Sequence, residues 1–409
     1  MSADMQGAEM SSDMPYKGLN VIDLSQGVAG PYCGMLLACQ GANVIKVEPP
    51  EGDWSRRLMP SYGDNTAFSI LANIGKRGLA LDLKTKKGRK IIEQLVSHAD
   101  IFIQGFRPGV IDRLGFSFER VSHINPSMIY VSVSGFGLKG PLRAKPAMDP
   151  ILQAFTGFMS ENHGPDGKPH RTPNIINDMA TGLYAMQAVG AALYARRDTG
   201  KGRHIPISLM EASASIQAVR LMSNYRDGPF EVSMMPNGVY QTSDGWIQIT
   251  VIWDRDFRQL CHAFNWPEGA NNPDFAEAEA RLANADALDV IIGEIIEKDT
   301  SNNWCQRLNE AGIQNEVVQT YSQFVEHPHV KESGLIAWVP QSGSRDSWAV
   351  PNVPGVAPFK PYAPGGAAPS IGQHSAEILE ELGYSPGDIL KMSTLEVIKV
   401  QGSSNKLTK

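Results

Sequence analysis

The strand–helix–strand unit at residues 19–48 constrains the fold more than any other feature of the sequence. The letters LNVIDL indicate a short buried strand, and ANVIKVE at 42–48 indicates a second one. Between them, Pro31 stands where a first helical residue is favoured, and YCGMLLACQG predicts a helix. Two strands joined by a helical crossover run parallel. We therefore predict a parallel sheet covered by helices.

The same alternation continues along the chain. LALDL and IFIQG predict strands on either side of the amphipathic helix GRKIIEQLVSHA, and MIYVSVSGFG predicts a further strand. A long helix, DMATGLYAMQAVGAALYARR, then precedes the strand HIPISL, with Gly200 as its stop signal. These elements together predict a doubly wound α/β domain with a Rossmann-like sheet.

A chain of 409 residues exceeds one ordinary core, so a second domain is expected. Beyond residue 226 the pattern changes to a hairpin around Asp244-Gly245, followed by amphipathic helices. A later tract rich in proline and glycine indicates a linker. We predict a disordered tail at 1–15, a large Rossmann-like domain at 16–225, a small α+β domain at 226–335, a linker at 336–370, and a C-terminal segment at 371–409 that returns to the large domain.

Composition limits the kinds of binding partner that the protein is expected to have. The net charge of -6 comes without a basic block, so nothing favours nucleic-acid binding, and an anionic ligand must find local cations. The four cysteines include no CxxC pair, which is typical of free thiols in a reducing cytoplasm. The N-terminus lacks the pattern of a signal peptide, and no apolar run approaches about 18 residues. We expect a cytoplasmic protein without a nucleic-acid or membrane partner.

Several familiar sites can be weighed from their motifs. Gly27, Gly30 and Glu48 invite comparison with dinucleotide-binding folds, but GxGxxG is absent, which argues against a nicotinamide oxidoreductase. His327 and His329 flank a proline without nearby cysteines or acids, so no metal site is predicted. The GxSxG, HExxH and Walker motifs are also absent.

Asp178 begins the long helix after a polar loop, and two interpretations fit this position. The side chain could cap the helix, as aspartates commonly do. Alternatively, helix amides and the helix dipole could keep the carboxylate ionised and ready to act as a nucleophile. Pattern alone favours the cap and leaves the nucleophile open.

Five segments resemble the class III CoA-transferases, the family that includes formyl-CoA transferase, carnitine CoA-transferase and the α-methylacyl-CoA racemases. They occur in the family's order over nearly the whole chain: VIDLSQGVAGPYCGMLLACQGANVIKVEPPEGD, NIGKRGLALDLKTKKGRKII, ADIFIQGFRPGVIDRLGF, NDMATGLYAMQAVGAALYARRDTGKG and IGQHSAEILEELGYS. The resemblance implies a large domain built from both chain ends, a small domain between them, and a homodimer of interlocked subunits.

The resemblance also implies particular residues. The nucleophile of the family's transferases falls on Asp178. The substrate is a coenzyme A thioester with a carboxylic acid as its partner, and no tightly bound cofactor is expected. Lys84, Arg113 and Lys145 would supply positive charge for the coenzyme phosphates. The full set of implied coenzyme-binding positions is Val28, Ala29, Leu81, Lys84, Gly105, Phe106, Arg113 and Lys145.

Departures from the family pattern affect the substrate. Val28, Pro49 and Gly105 replace a glutamine, an arginine and an asparagine of the formyl-CoA transferases, and the small domain has no glycine run to form a lid. These differences argue against formyl and oxalate substrates. Met148 stands where the racemases have a histidine, which favours transfer over the alternative, a 2-methylacyl-CoA racemase. A non-catalytic protein that binds coenzyme A is a further alternative.

Overall fold

The computed structural model describes residues 14–164, 166–228, 233–362 and 366–401. Its described residues fall into two compact units, one formed by the chain up to Ala218 and from Gly334 onward, the other by Val219–Ser333. The first boundary therefore lies before residue 219, whereas the sequence pattern placed it after 225. The predicted tail at 1–15 lies outside the described residues, apart from positions 14 and 15.

The strands within the described ranges are labelled in chain order. They are β1 (Asn20–Asp23), β2 (Asn43–Glu48), β3 (Arg77–Leu81), β4 (Ile101–Gln104), β5 (Ile129–Ser134), β6 (Arg203–Ser208), β7 (Asn237–Gln241), β8 (Trp246–Thr250), β9 (Gln314–Val317), β10 (Ile336–Val339), β11 (Trp348–Pro351) and β12 (Ile398–Lys399).

Helices connect these strands. In the large unit they are Ala29–Cys39, Ala67–Asn73, Lys86–Val96, Val110–Leu114, Phe118–Ile124, Asp149–Phe155, Phe158–Glu161, Ile176–Thr199, Leu209–Ile216, Ser375–Glu381 and Pro386–Thr394, with a 3-10 turn at Trp54–Arg57. Helix Ala218–Asp227 follows at the boundary between the units, and the small unit contains Asp254–Ala263, Pro267–Asn271, Ala278–Ala283, Ala285–Ile296, Ser301–Glu310, Tyr321–Glu326 and Pro328–Ser333.

A seven-stranded sheet forms the centre of the large unit, in the order β12-β3-β2-β1-β4-β5-β6. Its first six strands in sequence are parallel, as the crossover pattern predicted. The order β3-β2-β1-β4-β5-β6 is that of the Rossmann fold, in which the direction of strand progression reverses between β1 and β4. Ligands of such sheets bind beyond the carboxyl ends of the strands at that reversal.

Alternate side chains of each strand enter one of two apolar layers. Ile22 and Phe102 face the layer that includes helix Lys86–Val96, while Val21 and Ile103 face helices Ala29–Cys39 and Ile176–Thr199. Burial on both faces explains why these strands are almost continuously apolar in sequence.

The C-terminal segment completes the large unit. β12 pairs antiparallel with β3, and Ile378, Leu379 and Ile389 from its two helices are buried in the first apolar layer. The stretch predicted as a linker instead contains the hairpin β10–β11, whose Val339 and Val350 are buried against helix Ala29–Cys39 and its neighbours. The stretch has few buried residues among many prolines and glycines, so its sequence pattern predicted a linker and not strands.

The small unit combines helices with an antiparallel sheet. Its strands have the order β7-β8-β9, and β7 pairs with β8 across the turn at Asp244-Gly245, as predicted. Phe257, Ile292 and Trp304 from three of the helices are buried against this sheet. The mixed α/β architecture thus includes a large, mainly parallel sheet and a smaller antiparallel one.

Candidate active site

Two turns meet where the strand order reverses. The chain leaves β1 through Ser25–Val28, and it leaves β4 through Gly105 and Phe106. A Cβ atom on Gly105 would lie only 3.4 Å from the Cβ of Ser25 and 3.8 Å from the amide nitrogen of Gln26. This close approach brings the two predicted coenzyme-binding turns to one place.

Asp178 reaches the same place through helix packing. A Cβ atom on Gly182, one turn further along helix Ile176–Thr199, would lie 2.9 Å from the carbonyl oxygen of Ala29 and 2.7 Å from the ring of Tyr32. Glycine therefore allows this helix to press against the start of helix Ala29–Cys39. As a result, the Ala29 amide lies close enough to the Asp178 carboxylate to lower its pKa.

The helix cap predicted for Asp178 is instead supplied by Asp149. The N-cap residue of helix Ile176–Thr199 is Ile175, and Asp178 lies within the first turn. One carboxylate oxygen of Asp149 accepts the amides of Asn177 at 2.7 Å and Asp178 at 3.2 Å. A distant aspartate thus satisfies the helix start, which leaves the Asp178 side chain available for other contacts.

Burial raises the pKa of Asp178 to about 7, and the nearby Asp149 carboxylate adds to this effect. The amide of Ala29 acts in the opposite direction but is outweighed. The expectation that the helix start keeps this carboxylate ionised is therefore wrong. Burial of the Asp178 carboxylate and the negative charge of Asp149 have the larger effect on its pKa. The helix amides that would have favoured ionisation of Asp178 donate to Asp149 instead.

Gln153 holds Asp149 and the loop before helix Ile176–Thr199 together. Its Nε2 donates to the other oxygen of Asp149 at 2.5 Å and to the Thr172 carbonyl at 3.2 Å, while its Oε1 accepts the Thr172 amide at 3.0 Å. Both Asp149 and Gln153 are buried. The motif search missed Gln153, because an isolated glutamine in a short helix carries no pattern.

The predicted coenzyme-binding positions all follow strands of the parallel sheet. Val28 and Ala29 are buried at the start of the first helix, and Leu81 is the buried last residue of β3. Gly105 is exposed and Phe106 partly buried. The structure therefore brings these residues to one edge, with β1 and β4 adjacent and β3 two strands from β1.

The three predicted cations are exposed. The Lys84 amide donates to Asp82 in the turn after β3. The ammonium of Lys145 lies 5.5 Å from the centre of the Phe136 ring. Arg113 lines an open cavity of about 450 Å³ together with Arg89 and Arg120, two arginines that sequence reasoning did not select.

Gln104 is a further residue missed from sequence. Its Oε1 accepts the Phe106 amide at 2.9 Å, and its Nε2 donates to the Ser132 hydroxyl at 3.0 Å. Ser132 is in turn 2.8 Å from Nε2 of His204. This chain of contacts fixes the turn after β4 to β5 and β6. The sequence signal that could have identified Gln104 is a polar residue at the end of an otherwise apolar strand.

Neither a metal site nor a membrane-spanning helix is present within the described ranges. No group of three or more His, Cys, Asp or Glu side chains is placed to hold a metal ion. No helix there has the length and apolar character needed to cross a bilayer.

Comparisons with known proteins agree with this geometry. The model of CoA-transferase family III matches residues 16–375. An acetyl-CoA:oxalate CoA-transferase of Acetobacter aceti is 37% identical over 73% of this chain and 79% of its own length. A succinate–glutarate CoA-transferase of Agrobacterium fabrum is 32% identical over 90% of this chain and 96% of its own.

A solved structure shares the fold. The crystal structure of a CAIB/BAIF family protein from Brucella suis aligns with a TM-score of 0.81 at 30% identity, covering 90% of this chain and 99% of its own. The family match spans most of the chain and includes both turns at the strand reversal as well as Asp178. The chain therefore belongs to CoA-transferase family III.

Proposed function

We propose that this CoA-transferase moves coenzyme A between two carboxylic acids with Asp178 as the nucleophile. The observation that carries the proposal is the packing of helix Ile176–Thr199 at Gly182 against Ala29, which places Asp178 beside the Ala29 amide at the strand reversal where such sheets bind ligands. A carboxylate whose pKa lies near 7 is more basic than an ordinary aspartate, and its ionised form is the stronger nucleophile.

The reaction consists of four acyl transfers. The Asp178 carboxylate attacks the thioester carbonyl, breaks the carbon–sulfur bond, and gives a mixed anhydride and coenzyme A thiolate. The thiolate attacks the aspartyl carbonyl, which releases the first acid as its carboxylate and leaves an aspartyl thioester. The acceptor carboxylate then attacks this thioester, breaks its carbon–sulfur bond, and gives a second anhydride and coenzyme A thiolate again. Thiolate attack on the acceptor's acyl carbonyl finally releases the new thioester and the Asp178 carboxylate.

The Ala29 amide suits the steps in which Asp178 itself is attacked. When thiolate or the acceptor adds to the aspartyl carbonyl, negative charge develops on an oxygen of Asp178. The amide that lies beside this carboxylate in the free enzyme can donate to the same oxygen as it becomes an oxyanion. Val28 and Ala29 thus act through their backbone, which is compatible with the replacement of a glutamine by Val28.

The coenzyme extends from this centre along the sheet edge. We propose that Lys84, Arg113 and Lys145 meet its phosphates, because charged side chains exposed beside the strand ends can follow a long anionic ligand. Leu81, Gly105 and Phe106 line its path. The coenzyme is a substrate here, and no tightly bound cofactor is part of the proposal.

The exchanged acids are proposed to be small dicarboxylates. The relatives are named for oxalate, glutarate, mesaconate and D-citramalate, which all carry a second carboxylate. The first-turn departures argued against oxalate, but a 37% identical relative named for it places oxalate among the acids to be tested.

Racemisation is the alternative activity, and the surroundings of Asp149 weigh against it. A racemase needs a proton-transfer group on each face of the α-carbon. Met148, at the racemase histidine position, carries no titratable group. The neighbouring Asp149 is buried, and both of its oxygens already accept hydrogen bonds. Of these three residues Asp178 is the one left for chemistry, which suffices for transfer through an anhydride.

We also propose an interlocked homodimer, as the family resemblance implies. Large apolar side chains are exposed on the large unit, including Phe155 at 49%, Leu183 at 53% and Tyr194 at 69%. A second subunit that covers these side chains would remove their apolar surface from water. All four cysteines are free thiols, which is compatible with the cytoplasmic location we propose.

The test is an exchange assay. Purified protein is incubated with acetyl-CoA or succinyl-CoA and, separately, with oxalate, glutarate, mesaconate and citramalate, and the thioesters are identified by mass spectrometry. New CoA esters that depend on the added acid are expected, and they should vanish in Asp178→Ala. Turnover retained by Asp178→Ala would refute the assigned nucleophile.

A further inference from the structure

We propose that Asp53 is a positioning residue for acyl transfer, because its buried carboxylate holds the turn that presents the Ala29 amide to Asp178. The inference rests on the proposed function of Asp178. Asp53 itself does not need to contact substrate, since its action passes through the backbone of Gly27.

Asp53 binds two backbone segments at once. Its two carboxylate oxygens each lie 3.1 Å from the Gly27 amide nitrogen, and one of them also accepts the Ser55 amide at 2.9 Å. Gly27 belongs to the turn after β1, and Ser55 to the turn after β2. The side chain is fully buried, so water does not compete for these hydrogen bonds.

Lys46 holds the same turn from a second side. Its ammonium lies 3.1 Å from Asp53 and also donates to the carbonyl of Ser25. Burial opposes a charge here, but the carboxylates of Asp53, Asp23 and Glu48 together raise the pKa of Lys46 above its usual value. Lys46 and Asp53 therefore bind the Ser25 carbonyl and the Gly27 amide, which are two residues apart, and so fix the backbone between them.

The turn after β1 leaves no room for a side chain at Gly27. Gly27 has a φ of +79°, a left-handed conformation that glycine adopts without strain. A Cβ atom at this position would meet the ring of Trp54 at 2.5 Å, so the residue after Asp53 packs against the turn as well. Ala29 follows two residues later as the first residue of its helix. A rotation of the Gly27 peptide would therefore redirect the Ala29 amide.

A neighbouring buried ion pair provides a matched control. Glu48 binds Arg56 at 2.7 and 2.9 Å, and Glu48 also accepts the Asp53 amide at 2.9 Å. Both side chains are buried like the first pair. The guanidinium of Arg56, however, donates to Glu48, Asp64, Asn65 and Pro369, which all lie outside the turn after β1. Arg56→Lys thus disturbs a buried pair in the same network without loosening the Gly27 amide.

The experiment measures acylation and binding separately. Asp53→Asn keeps the size of the side chain but loses the charge that binds Lys46. In single-turnover mixing with acyl-CoA, we expect its acylation rate to fall by about tenfold or more, because small displacements of catalytic groups are costly, while the Kd for CoA changes by less than about threefold. Arg56→Lys should acylate within about threefold of wild type.

A pH profile supplies a readout that general destabilisation would not move. The Ala29 amide lowers the pKa of Asp178 against the raising effects of burial and Asp149. If Asp53→Asn turns this amide away, the acidic limb of the acylation profile should move to higher pH, and Arg56→Lys should leave it in place. Should Asp53→Asn fail to fold, Trp54→Ala loosens the same turn without burying an unpaired charge, and a smaller change in the same direction is expected.

The outcomes separate the two proposals. An unchanged acylation rate and pH limb in the folded Asp53→Asn or Trp54→Ala protein would overturn the positioning role while Asp178 remains the nucleophile. Equal losses of acylation rate and CoA affinity, or equal effects in Arg56→Lys, would also overturn it. Acylation of wild type at a residue other than Asp178 would instead refute the proposed function.

Discussion

Replacing Asp178 with asparagine should make the protein more stable at neutral pH while it abolishes transfer. The pKa of Asp178 is raised from 3.8 to about 7 in the folded protein, chiefly by burial and by Asp149. Between these two pH values the unfolded chain loses the Asp178 proton while the folded chain keeps it. Wild-type stability therefore falls as pH rises through this window, and the loss is complete above about pH 7.

The structure sets the size of this effect. A difference of about 3 between the two pKa values corresponds to about 4 kcal/mol, which is an upper limit because Asp178 is only partly buried. Asparagine is nearly isosteric with the protonated acid. Its oxygen can still accept the Ala29 amide, and its amide group adds no charge beside Asp149. At pH 4, close to the unfolded pKa of 3.8, only a small part of this difference has developed, and the two proteins should differ by less than about 1 kcal/mol.

The assay is urea unfolding of wild type and Asp178→Asn at pH 4 and pH 8, at one protein concentration. Asp198→Asn, an exposed position in the last turn of the same helix, is the control and should change stability by less than about 1 kcal/mol at either pH. A variant that is no more stable than wild type at pH 8 would refute the reasoning. An ordinary helix cap predicts that refuting result, since asparagine and aspartate cap about equally well.

Four further outcomes are expected. Hydroxylamine added to enzyme and acyl-CoA should leave a hydroxamate on Asp178, and peptide mapping that finds it elsewhere would contradict the mechanism. The acylation rate should fall about tenfold for each pH unit below about 7, as the ionised fraction of Asp178 declines, and a profile that is flat down to pH 5 would show an ordinary aspartate pKa. Calorimetry of Arg113→Ala and Lys145→Ala should show CoA binding weakened by about 1–3 kcal/mol each, and unchanged affinity in both would remove them from the site. A 2-methylacyl-CoA incubated in heavy water should show no rapid α-deuteration with inversion, whereas such exchange without any transfer would favour the racemase.

Much of the large unit follows from local patterns. The parallel strands are buried on both faces, so they are apolar along their length, and the helix between β3 and β4 shows its buried Ile91 and Ile92 through periodicity. The hairpin β10–β11 was not predicted, because its strands have only four residues each and show no clear periodicity. Its structure depends on packing against helices that are distant in sequence.

The candidate site shows the same division. Asp178 could be selected because it combines a helix start with a family segment. The competition for the helix amides could not be foreseen, since Asp149 lies 28 residues before Asn177 and reaches them only in the folded chain. Sequence reasoning therefore expected the helix start to keep Asp178 ionised, whereas burial and the neighbouring charge raise its pKa in the folded chain.

The sequence by itself determined the parallel α/β sheet, the family and the position of the proposed nucleophile, because periodicity and motif order are properties of contiguous residues. Only the tertiary structure decided how the site works. The Ala29 amide faces Asp178 because Gly182 lets two helices touch, and the turn before Ala29 is held by Asp53, 26 residues beyond Gly27 in sequence. Such contacts depend on where strand order places distant segments, which no local pattern records.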